Sequence, residues 1–183
     1  MRTFEQYIRE AVDFRLGGKE NKGVRYNYAP KDNDDLWRLM RKLIKERGAE
    51  GDFNDIDTSR VEDMSFIFHD INNDFNGDVS LWDTSKAVNM ESMFENAHSF
   101  NGDISMWDTS SAKSMREMFY SAESFNQDIS DWNVSHVINF AYMFKNAKSF
   151  NQNISSWDVS KGIINNGVFD GCPIKEEFKP KFK

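Results

Sequence analysis

The sequence predicts an α/β solenoid of about four to five 25-residue strand-turn-helix units with an N-terminal helical cap. Three observations carry that expectation. Phe75, Phe100, Phe125 and Phe150 recur every 25 residues, as do Trp82, Trp107, Trp132 and Trp157. Within each unit the apolar spacing changes from three-and-two to three-and-four, the change expected where a strand gives way to an amphipathic helix. Residues 51 to 171 carry 7 basic and 19 acidic side chains yet hold most of the aromatic residues, so the segment is charged outside with a core to bury.

The N-terminal region, residues 1–50, reads as a helical capping region. A first helix starts at Thr3 with Gln6 completing a capping box, buries Phe4, Ile8, Ala11 and Val12, and stops at Gly17-Gly18. Residues 19 to 31 are polar and loop-like. A second helix opens on Asp32-Asn33-Asp34-Asp35, where carboxylates suit the positive end of the helix dipole, and is ended by Gly48. Leu36, Trp37, Met40, Leu43 and Ile44 form its apolar stripe, and Arg38, Arg41, Lys42 and Lys45 its opposite face.

Residues 51–172 form the repeat. The slots keep step: Val79, Ile104, Ile129, Ile154; Met93, Met118, Met143, Val168; Phe94, Phe119, Phe144, Phe169. An earlier copy, with Phe53, Ile56, Met64 and Phe68, fits at an offset of 26. Residues 104–109 give the expected strand, with Trp107 at its centre, and residues 112–122 the expected helix, capped by Asp108 and the Ser110-Ser111 pair. Neither part buries its apolar side alone, so stacked copies must share one core. Asn165, Pro173 and Lys175 break the pattern, which makes residues 173–183 a C-terminal capping tail.

The stretch FNGDISMWDTSSAKSMREMFYSAESFNQDISDWNVS resembles the BspA-like leucine-rich repeats of bacterial surface proteins and mycoplasma-type lipoproteins. The resemblance implies a right-handed solenoid and a role in protein binding or adhesion. It also implies a cell-surface or secreted location, whereas the opening MRTFEQYIREAVDF lacks the marks of a signal peptide and predicts a cytoplasmic one.

Chemistry-bearing motifs are scarce. A single cysteine, Cys172, excludes an internal disulfide or a multi-thiolate metal site, and His69, His98 and His136 are scattered. No nucleophile elbow, phosphate loop or HExxH motif occurs, so the chain is expected to be no enzyme and to hold no cofactor or metal. Two acidic ladders stand out: Asp52, Asp78, Asp103, Asp128 with Asn153, and Asp57, Asp83, Asp108, Asn133, Asp158. Turn capping is their simpler reading, with calcium between coils as the alternative. The asparagines after the repeating Phe, Asn76, Asn101, Asn126 and Asn151, are expected to bond backbone in adjoining loops.

A ligand surface should use positions where the repeat varies. These are Leu81, Met106 and Asp131 beside the Trp slot, His136 at the strand exit, Asp83 and Asp108 in the second acidic ladder, and Tyr120 and Tyr142 on the helical side. The expected function is a non-enzymatic protein-binding or adhesion module of a bacterium or its mobile elements, acting as a monomer on another protein. The alternative is a small intracellular inhibitor whose acidic coils block a basic nucleic-acid-handling protein. Nucleic acid itself is not expected as a partner, because phosphate binding rests on clustered Lys and Arg, and no segment is apolar enough to span a membrane.

Overall fold

A computed structural model describes residues 26–69 and 74–182. The helix expected from Thr3 to Gly17 lies outside them. Among the described residues one α-helix, α1, spans Asn33–Arg47, and a single 3-10 turn covers Glu176–Phe178. Between these two elements the described residues run as five stacked coils: 51–69 with 74–76, 77–101, 102–126, 127–151 and 152–172. Parallel bridges join Asp63 to Asn89, Asn89 to Ser114, Ser114 to Asn139 and Asn139 to Ile164, so each position lies beside its repeat counterpart. The first step spans 26 residues and the others 25, matching the offset of the first copy.

The α/β solenoid of strand-turn-helix units is not what the repeat forms. Among the described residues there is no sheet, only isolated bridges, and no helix within a coil. The backbone hydrogen bonds show why. A helix needs each N–H to return to the carbonyl four residues back along the same chain. In coil 3 the N–H groups of Met115, Glu117, Phe119 and Ser121 donate instead to Asn139, Ala141, Met143 and Lys145 of coil 4. The intervening N–H groups of Met118, Tyr120 and Ala122 close tight turns onto Met115, Glu117 and Phe119. Every second donor therefore runs along the stack and every other one folds back.

That alternation requires left-handed backbone at fixed slots. Ser92, Glu117 and Tyr142 occupy one slot with φ of 51°, 56° and 58°, and Asn96, Ser121 and Asn146 the next with φ of 58°, 54° and 60°. Glycine fills both in coil 5, at Gly167 and Gly171. Left-handed backbone costs an ordinary residue on the order of 1 kcal/mol, a cost that one inter-coil hydrogen bond offsets. The three-and-four apolar spacing mimics a helix because two consecutive tight turns also place Met115, Met118, Phe119 and Ala122 on the inside, all fully buried. The expected strand is likewise a turn, with Trp107 N–H donating to the Ile104 carbonyl.

The interior is a set of aromatic columns. Phe68, Phe94, Phe119, Phe144 and Phe169 stack at centroid distances of 5.0, 5.6, 5.5 and 5.8 Å. Phe75, Phe100, Phe125 and Phe150 form a second column at 6.0, 6.0 and 5.8 Å, in face contact with the first. The tryptophans are core: Trp107 is 3% exposed, and the indole N–H groups of Trp82, Trp107, Trp132 and Trp157 donate to the carbonyls of Phe53, Val79, Ile104 and Ile129. The polar end of each ring is thus satisfied by the preceding coil, as burial of an indole requires.

α1 packs on the first coil through Leu36, Met40 and Leu43, with Asp32 accepting from Asp35 N–H at its start. Trp37 lies at the margin, half-buried, with the Arg41 guanidinium 4.0 Å from its ring centroid, so Arg41 adjoins the stripe rather than facing away from it. At the other end the tail crosses coil 5: Ile154 N–H donates to the Phe178 carbonyl, and Phe182 meets Phe140 edge-on. No helix among the described residues is long and apolar enough to cross a membrane.

Candidate functional site

Both acidic ladders are turn acceptors. Asp52, Asp78, Asp103, Asp128 and Asn153 each accept from the backbone N–H two residues on, as do Asp57, Asp83, Asp108, Asn133 and Asp158. This local bond is the reason an Asp or Asn repeats there. The Ser130 N–H and hydroxyl accordingly hold the Asp128 carboxyl below its ordinary value. Sequence reading missed a third such ladder, Asp63, Asn89 and Asn139, with Ser114 in the same slot, because its members are chemically mixed. Among the described residues no three His, Cys, Asp or Glu side chains gather as a cation site.

The asparagine ladder is also structural. The Asn76, Asn101 and Asn126 side-chain oxygens accept from the N–H groups of Asn101, Asn126 and Asn151, and Asn151 from Lys175. The Asn76, Asn101 and Asn126 amides stitch one coil to the next, with Gln127 and Gln152 adding side-chain bonds to the Asn101 and Asn126 carbonyls. Burial raises the Cys172 thiol, with its Sγ against the Phe150 carbonyl, so the lone cysteine is a poor nucleophile.

Of the varying positions, Met106 is 42% exposed, an unusual state for a methionine beside a buried column, and Leu81 is half-buried one coil earlier. Asp131 is exposed one coil later, and Asp83, Asp108 and His136 are exposed along the adjoining edge. The coil register places Leu81, Met106 and Asp131 in one column, two residues before the column of Asp83 and Asp108. Asp83 and Asp108 accept local bonds from Ser85 and Ser110, so the apolar spot has a margin of carboxylates.

Tyr120 and Tyr142 come together on a different side of the stack, through Lys145, another varying position of the repeat. Lys145 Nζ lies 5.8 Å from the Tyr120 ring centroid and 5.1 Å from that of Tyr142. The ammonium sits against both ring faces, an attraction worth about 0.5–1 kcal/mol at an exposed site. Beside them Arg116 bridges Glu91 and Glu117 at 2.6 and 2.7 Å, which raises the guanidinium pKa further. This side is internally neutralised. Its side chains answer one another, whereas the Met106 column presents its charge outward.

A family model described as a Mycoplasma protein of unknown function, DUF285, matches residues 38–157. Comparison with curated proteins and with solved structures gave no match. The matched stretch runs from α1 through the Trp157 of coil 5 and takes in the Met106 column, so the chain belongs to the DUF285 family.

Proposed function

We propose that this chain is a non-enzymatic protein-binding module that engages a partner through the Leu81–Met106–Asp131 column and its Asp83 and Asp108 margin. The observation that carries the reading is the 42% exposed Met106, an apolar side chain set among carboxylates on a face whose neighbours are fixed by backbone bonds. An apolar centre with a charged rim is the usual build of a protein interface, and a flexible thioether adapts to the surface it meets. The rim favours a partner with a basic patch around an apolar contact. The resemblance to BspA-like surface repeats supports adhesion as the setting and is carried as sequence kinship, without the strand-helix unit.

Photo-crosslinking tests this. A photoreactive residue at position 106 should trap one host protein, one at position 145 should not, and Met106→Asp in a competing chain should fail to displace the adduct. Equal trapping at both positions, or none at 106, would sink the proposal. Recovery of a nuclease or polymerase whose capture is lost at high salt and with Asp83→Asn and Asp108→Asn would move the reading to the acidic inhibitor.

A further inference from the structure

The bonds between coils are directional, and the last coil leaves them unused. Coil 4 donates from Phe140, Tyr142, Phe144 and Asn146 to the carbonyls of Ile164, Asn166, Val168 and Asp170. Coils 2 and 3 donate from the same four slots to the coil that follows. The counterparts in coil 5 are the N–H groups of Asn165, Gly167, Phe169 and Gly171, and none of them has an acceptor among the described residues. The tail takes its own bonds elsewhere, at Ile154 and at the Asn151 side chain. Gly167 and Gly171 keep the left-handed backbone, with φ of 61° and 70°, that aims these donors along the stack. Immediately before them Ile163 and Ile164 are 79% and 44% exposed, and Ile138 one coil back is 40% exposed. Among the described residues, three of the five exposed large hydrophobic side chains thus sit at this one end.

We infer that the arc 163–171 is a backbone-directed docking edge that receives a polypeptide arc from a partner protein. The occupant is defined by continuity with the coil-to-coil interface: it offers main-chain carbonyls at alternate residues and apolar side chains toward Ile163 and Ile164. An unpaired row of N–H groups beside an apolar strip is the same template that edge-strand recognition uses, with main-chain bonds giving affinity and side chains giving choice. A second copy of this chain fits less well, because Asn33 already donates to the outward carbonyls of Asp63 and Ser65 on coil 1. The edge is separate from the Met106 column and does not depend on that reading.

The probe is a capped synthetic peptide with the sequence of residues 137–148, which in coil 4 offers its carbonyls to the same donor slots of coil 3. Added to the isotope-labelled chain, it should shift the amide resonances of Asn165, Gly167, Phe169 and Gly171 saturably below about 1 mM and slow their hydrogen exchange. Ile163→Asp and Ile164→Ser should weaken it at least tenfold, with circular dichroism unchanged, while Met106→Asp leaves it unaltered. Absence of these shifts at about 1 mM, or shifts confined to the Met106 column, would overturn the inference. Inorganic phosphate moving the same four amides would replace the peptide by an anion, and dimerisation without peptide, abolished by Ile163→Asp, would replace it by a second copy.

Discussion

The two ends of the stack are closed by different means, and the difference follows from which half of the peptide group each end leaves over. Coil 1 turns carbonyls outward, and a side-chain amide can answer carbonyls: Asn33 Nδ2 donates to Asp63 and Ser65 at 3.2 and 2.8 Å while α1 lays Leu36, Met40 and Leu43 on the apolar end. Coil 5 turns N–H groups outward, and among the described residues the tail, which crosses near Trp157 and Phe140 and sets Lys179 over the Phe169 ring, bonds none of the four N–H groups of the arc. A repeat array satisfies its interior by construction, but its ends depend on sequence outside the repeat. Here one end is sealed by a helix and a charged clamp, and the other keeps an arc open.

The largest effect that would break this contrast comes from placing the same charge at both ends. Met40→Asp puts a carboxylate at a fully buried position with no partner, which should cost about 3–5 kcal/mol and leave the chain aggregated or unfolded. Ile163→Asp, at a side chain 79% exposed, should change stability by no more than about 0.5 kcal/mol. Thermal melts of the two variants decide it. Similar losses would mean that the C-terminal end is as closed as the N-terminal one.

A smaller effect tests the clamp. Arg47 donates to both Asp55 oxygens at 2.7 and 2.9 Å and to the Asp52 carbonyl, fixing the end of α1 to coil 1. This guanidinium holds the Asp55 carboxyl below its ordinary value, with a further bond from Asn27. A carboxyl depressed in the folded state contributes stability above its unfolded pKa, and that contribution is lost as pH falls through the folded value. Asp55→Asn should therefore cost about 1–3 kcal/mol at neutral pH, and the two proteins should converge in stability on acidification. Denaturant titrations at several pH values measure it; a gap independent of pH would remove the ion pair from the account.

The smallest effect concerns the left-handed slots. Ser121→Gly should raise stability by up to about 1 kcal/mol by relieving its φ of 54°. Gly171→Ala should lower it by about 1–2 kcal/mol, since a Cβ there is both left-handed and pressed against Asn146 Oδ1. Equal tolerance at the two positions would show that the open arc does not share the backbone of the inner coils. Chemical denaturation resolves changes of this size.

The sequence by itself determined the period, the register and the core. Phe75 to Phe150 and Trp82 to Trp157 recur because each coil must present the same ring to the same ring of its neighbour, and the aromatic columns follow that spacing. The capping stripe of α1 was legible from Leu36, Met40 and Leu43, and the role of the Asp ladders from their place before Ser and Thr. What residues 112–122 become was not legible, because apolar side chains at three and four are common to a helix and to paired tight turns. Only the tertiary structure chose between them: with a coil on either side, alternate N–H groups find carbonyls along the stack, and left-handed residues such as Glu117 and Ser121 are held by those bonds. Lys145 joining Tyr120 to Tyr142, and the donors left open on coil 5, likewise arise from what lies one coil away, a relation that no window of the sequence contains.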